Sequence, residues 1–120
     1  MTKLIFNFTS FIKVLFESNS ELVPVYDEHI DDYDEVLEHV FMGDVTRFAV
    51  EVYKNDPDSK SLKLLLSLLD KAFSAKDTKL QELVSVSFLE NLPQDEECYS
   101  GFKGLLSEQL LKELTLYESK

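Results

Sequence analysis

The sequence predicts an all-α fold, a single domain of about five to seven short-looped antiparallel helices, packed as a compact bundle or an α-solenoid-like stack. Three observations carry this. Apolar residues recur at spacings of three and four in every long segment. Gly and Pro number three each in 120 residues, too few for the turns of an all-β domain. The hydrophobic fraction of 44% supports a real core, and the length suits one domain over residues 1–120.

"TSFIKVLFESN" places Phe11, Ile12, Leu15 and Phe16 on one helical stripe, with Thr9 or Ser10 as N-cap. "SNSELVPVYDEHI" restarts at Ser18 or Ser20. It predicts a second helix of about two turns, with Pro24 in the first turn, where a missing N–H costs little. "DDYDEVLEHVFMGDVTRFAVEVYKND" is the longest pattern, with Val36, Leu37, Val40, Phe41, Val45, Phe48, Ala49, Val52 and Tyr53 on its apolar side. Asp31 or Asp32 is expected to cap its start; at Gly43 either the helix breaks or kinks, the preferred reading, with Asp44 capping a new one, or another backbone approaches closely.

"NDPDSK" is a turn, with Asp58 or Ser59 capping "SLKLLLSLLDKAF". There Leu62, Leu65, Leu66, Leu69 and Phe73 share a stripe that Leu64 and Leu68 widen. Asp77 or Thr78 caps "KLQELVSVSFLENL", which carries Leu80, Leu83, Val84, Phe88 and Leu92 and stops at Pro93. "PQDEECYSGFKG" reads as a loop or short helix, and "LLSEQLLKELTLYESK" as a closing amphipathic helix.

The formal charge is −11, and its placement matters more than its size. Residues 17–58 hold thirteen acids against Arg47 and Lys54 alone, while elsewhere ten Lys balance ten acids. Such a field disfavours nucleic acid and anionic membrane as partners and favours a cationic protein. The lone Cys98 excludes an intramolecular disulfide and fits a reducing compartment. The opening segment has Lys3 before an apolar run, but Lys13 interrupts it and no small-x-small site follows, so no signal peptide is expected. No uncharged run nears the roughly 20 residues that span a bilayer. The chain reads as cytoplasmic, soluble and monomeric when free.

The unusual chemistry lies in "VYDEHIDDYDEVLEH", Val25–His39. It contains Asp27, Glu28, Asp31, Asp32, Asp34, Glu35 and Glu38, two histidines, and no Lys or Arg. A metal site, a solvated helical face and a surface for a basic partner compete to explain it. For a metal, Glu35 and His39 would share a helical face, with His29, Asp31 and Glu38 nearby, a set suited to Zn²⁺ or Fe. However, the Glu-x-x-His of di-iron bundles is missing, since Val36 stands three before His39. No frame gives an EF-hand its Gly and Glu.

Catalytic signatures are also missing: there is no phosphate loop, no Gly-x-Ser-x-Gly and no His-Glu-x-x-His. Cys98 follows Glu96 and Glu97, which oppose a thiolate. The expectation is a non-enzyme without cofactor. A plain solvated face mixes signs, because like charges repel. Seven acids without a base favour the binding surface, with Tyr26 and Tyr33 as candidate aromatic anchors.

"HVFMGDVTRFAVEV" (His39–Val52) and "VSVSFLENL" (Val84–Leu92) resemble motifs of a family of small helical bacterial proteins of unknown biochemical function. In size, acidity and cytoplasmic character the chain is also similar, as a class, to immunity proteins of contact-dependent inhibition and related polymorphic toxin systems. That resemblance implies binding and neutralisation of a basic toxin domain, commonly a nuclease. The residues implied in contact are Tyr26, Asp27, Glu28, Asp31, Asp32, Tyr33, Asp34, Glu35 and Glu38. The alternative is a metal-binding helical protein or metal-dependent enzyme using His29, His39 and neighbouring carboxylates.

Overall fold

In the computed structural model, which describes residues 8–35 and 37–118, every regular element among the described residues is helical. Lys3 with the opening apolar run through Asn7, Val36, and the last two residues lie outside them. The order is α1 (Phe8–Ser18), a 3₁₀ turn (Ser20–Leu22), α2 (Val23–Tyr33), α3 (Glu38–Asn55), α4 (Lys60–Ser74), α5 (Thr78–Glu82), α6 (Cys98–Lys103) and α7 (Glu108–Glu118). Past Glu82 the α5 helix widens into a π-helical stretch, Leu83–Leu89. Its last bond runs five residues back, from Glu90 N–H to Ser85 O at 3.1 Å.

One core joins these elements. Phe11, Phe41, Phe88 and Phe102 are fully buried at its centre, with Leu15, Leu22, Leu65, Leu69, Leu83, Leu110 and Leu114 around them. Most of the sequence stripes therefore face inward as expected; Val40 and Leu64 are exposed, at 41% and 42%, and Phe16, Leu37, Phe48, Val52, Tyr53 and Phe73 are half-buried.

Helix starts follow local chemistry. Ser59 Oγ accepts from Leu62 N–H at 3.2 Å. Asp77 Oδ1 accepts from Lys79 and Leu80 N–H at 3.0 and 3.2 Å. Both are the side-chain caps expected there.

Three boundaries differ from the sequence expectation. Thr9 and Ser10 lie inside α1, which runs from Phe8. The second helix has eleven residues. Buried Asn19 caps the preceding turn, accepting from Glu21 N–H at 3.1 Å, and that turn runs directly into α2. Asp31 and Asp32 stay within α2 and do not cap α3, which begins at Glu38. Asp34 closes α2 in the left-handed region (φ 61°), its N–H donating to Ile30 O at 2.7 Å.

Gly43 does not break α3, which runs unbroken from Glu38 to Asn55. Gly43 is buried where α3 approaches Asn91. The tertiary contact of α3 with the π-helical stretch outweighs a helix penalty of about 1 kcal/mol. Thr46 Oγ1 lies within 3.0–3.3 Å of Met42 O, Ser87 O and Phe88 O, joining the two elements.

Candidate functional site

The site begins with the two sides of α2. Leu22 and His29 are buried and Val25, Tyr26 and Ile30 half-buried, so the apolar side faces α1 and α3. Tyr26 stacks on Phe16 (ring centroids 4.3 Å) and meets Phe41 edge-on (5.7 Å). The core thus holds its ring. Tyr33 is 45% exposed, with its ring 4.9 Å from that of His29.

The other side is acidic. Asp27, Glu28, Asp31 and Asp32 are exposed along α2, and Asp34 and Glu35 are exposed in the turn after it. Glu38 is half-buried at the first position of α3. Among the described residues none of these seven pairs with a Lys or Arg. Helix α2 has no acid in its first turn and no base in its last. Asp31 and Asp32 thus sit at the end where the helix dipole disfavours negative charge.

Only the tertiary structure shows what faces this side of α2. Asp44, Arg47, Phe48 and Glu51, at helical spacing along α3, form one wall of a cleft, and Val25, Glu28, His29 and Asp32 of α2 form the other. The cleft has a volume of about 490 Å³. Arg47 pairs with Asp44, which leaves Glu28, Asp32 and Glu51 without a cation among the described residues. Asp44, Arg47 and Glu51 are the site residues that sequence reading missed. Their spacing was visible, but nothing along the chain said which face of α3 meets α2.

His29 is 2% exposed. Its Nε2 accepts the backbone N–H of Leu37 at 2.9 Å, so the ring proton sits on Nδ1. That Nδ1–H has no hydrogen-bond partner, and the nearest carboxylate oxygen, Asp44 Oδ2, is 3.8 Å away. A buried donor without an acceptor costs about 1–3 kcal/mol. His39, exposed on α3, has Nδ1 against Ser87 Oγ on the π-helical stretch.

The proposed metal geometry loses its premise here. Glu35 precedes α3, so Glu35 and His39 do not share a helical turn, and Nε2 of His29 is occupied. Among the described residues no three His, Cys, Asp or Glu side chains converge as a metal-holding group. Among the described residues no helix is long and apolar enough to cross a membrane.

No curated protein and no solved structure matches the chain. A family model matches residues 12–119, which span α2, α3 and the cleft between them. The motif-bearing stretches His39–Val52 and Val84–Leu92 both lie inside the match, and the chain belongs to the family described as Domain of unknown function (DUF7674).

Proposed function

We propose that this protein is an immunity, antitoxin-like protein that binds and neutralises a basic toxin domain, a nuclease, through the acidic face of α2 and the turn after it. The observation that carries the proposal is the uncompensated face itself. Asp27, Glu28, Asp31, Asp32, Asp34 and Glu35 are exposed without a cationic partner among the described residues. Like charges four residues apart and acids at a helix C-terminus each destabilise by a few tenths of a kcal/mol. A basic partner converts that cost into binding. Nuclease sites present Lys and Arg to phosphate, and an exposed acidic helix is complementary in charge to such a surface. Complementary fields raise association rates toward 10⁸ M⁻¹s⁻¹ or about that order. Tyr33 supplies an exposed aromatic contact at the end of the face.

The test expresses the chain with basic nuclease domains encoded beside its gene, and scores protection and complex formation. Reversing Asp31, Asp32, Asp34 and Glu35 together to Lys is expected to abolish protection with the helical circular dichroism spectrum retained. Association is expected to slow steeply between 0.1 and 1 M salt, as the Debye length falls from about 10 to about 3 Å. Full protection by the fourfold variant would remove the acidic face from the mechanism.

A further inference from the structure

We infer that the cleft between α2 and α3 reads an arginine of the basic partner: the guanidinium enters among Glu28, Asp32 and Glu51, and a main-chain carbonyl of the same segment accepts from His29 Nδ1–H. This rests on the acidic face being a binding surface, and adds which side chain it recognises and where.

Two independent features of the cleft converge on that ligand. The first is charge. Four carboxylates line the cleft, Glu28, Asp32, Asp44 and Glu51, and Arg47 pairs with Asp44 alone. Three negative charges therefore remain, distributed over both walls. The second is the orphaned donor. His29 is almost wholly buried, its Nε2 is used by Leu37, and its Nδ1–H finds no acceptor. Asp44 Oδ2 is 3.8 Å from it, too far for a hydrogen bond, and Asp44 Oδ1 pairs with Arg47. A simple cation answers only the carboxylates. An arginine within a peptide brings both the cation and a carbonyl acceptor.

The walls favour a guanidinium over an ammonium. Val25 and Phe48 supply apolar surface beside the acids. A guanidinium is planar and weakly hydrated, stacks on aromatic rings and forks to carboxylates, whereas an ammonium is a compact, strongly hydrated point charge. Asp44 swings aside together with Arg47 as the carbonyl reaches Nδ1.

The test uses the full chain, labelled with ¹⁵N, and three blocked tripeptides, acetyl-Gly-X-Gly-amide, in which X is arginine, lysine or the neutral arginine isostere citrulline. The arginine peptide is expected to shift the His29 Nδ1–H resonance saturably, to bind more tightly than the lysine peptide, and to outcompete citrulline. The triple variant Glu28→Gln, Asp32→Asn, Glu51→Gln is expected to bind it about tenfold more weakly or worse, the sum of three modest charge contacts. The variant Glu82→Gln, Glu90→Gln, Asp95→Asn removes the same charge from exposed positions outside both the acidic face and the cleft and is expected to change affinity less than about threefold. Equal weakening by the two triples would overturn the pocket in favour of a diffuse acidic field and leave the acidic-face proposal standing. Lysine binding as tightly as arginine, or an unmoved His29 resonance, would also overturn it. The acidic-face proposal fails on a different result, protection by the fourfold reversal.

Discussion

The backbone N–H of Leu37 donates to Nε2 of His29 at 2.9 Å, so the residue that precedes α3 is fastened to the buried side of α2. The bond spans the acidic turn and fixes which ring nitrogen carries the proton. It also sets where α3 starts, because Leu37 is the N-cap position and no side-chain cap is present there. Replacing His29 with Leu keeps the apolar volume but strands the Leu37 N–H. The expected cost is about 2–3 kcal/mol, read as a lower urea midpoint at unchanged m-value.

Asp34 is the one non-glycine residue with positive φ among those described. Asp34→Gly is expected to be neutral or stabilising, because glycine adopts this conformation freely. Asp34→Ala is expected to cost less than about 1 kcal/mol, because both residues carry a Cβ in this conformation and only the local hydrogen bonding that lets a short polar side chain tolerate it is lost. Thermal unfolding of both variants measures the difference.

Gly101 in α6 sits against Tyr53 of α3 so closely that an added Cβ would overlap the tyrosine hydroxyl. Gly101→Ala is expected to destabilise by about 1–3 kcal/mol despite alanine's better helix propensity. Tyr53→Phe removes the obstructing oxygen and leaves only the ring carbon Cζ, 3.2 Å from the added Cβ, so in that background the same substitution is expected to cost less. A double-mutant cycle with a coupling energy near zero would contradict the contact.

Glu118 accepts from Lys103 Nζ at 2.8 Å and from Tyr99 OH at 2.6 Å, tying α7 to α6. The Lys103 bond first, and the Tyr99 bond second, hold its carboxyl below the usual 4.5. Burial, with Glu118 beside it, raises the Tyr99 phenol above its usual range. A lowered carboxylate pKa stabilises the fold above the ordinary value, and that contribution is lost as pH falls through the folded value. Stability is thus expected to decline below about pH 4.5, and to decline less in Glu118→Gln. Urea midpoints against pH for the two proteins measure this.

Buried Asn19 binds Ser61 twice, accepting from its hydroxyl at 3.0 Å and donating to its carbonyl at 3.2 Å. Asn19→Ala is expected to cost about 1–2 kcal/mol, because it removes a turn cap and takes away the partner of the half-buried Ser61 hydroxyl on α4. Amide hydrogen exchange is expected to rise first at the α1–α2 turn and the start of α4.

Helical class, core stripes and two of the caps were legible along the chain, because they depend on interactions within a few residues. Periodicity buried Leu62, Leu65, Leu66 and Leu69, and Ser59 and Asp77 satisfy backbone N–H groups two or three positions ahead. The acidic run was legible for the same reason, since charge density is a property of the sequence. What the sequence left open depended on contacts between distant residues. Gly43 reads as a breaker locally, yet the packing of α3 on the π-helical stretch keeps the helix whole. Asp31 and Asp32 read as caps, yet Pro24 and the Asn19 turn start α2 early enough to absorb them, and the Leu37–His29 bond delays α3. Along the chain His29 entered only the alternative, metal-binding reading; in the fold it is buried and a backbone donor occupies one of its nitrogens. The cleft joining Glu28 and Asp32 to Asp44, Arg47 and Glu51 exists only once α2 lies against α3, because helical spacing says which residues share a face and only packing says what that face meets.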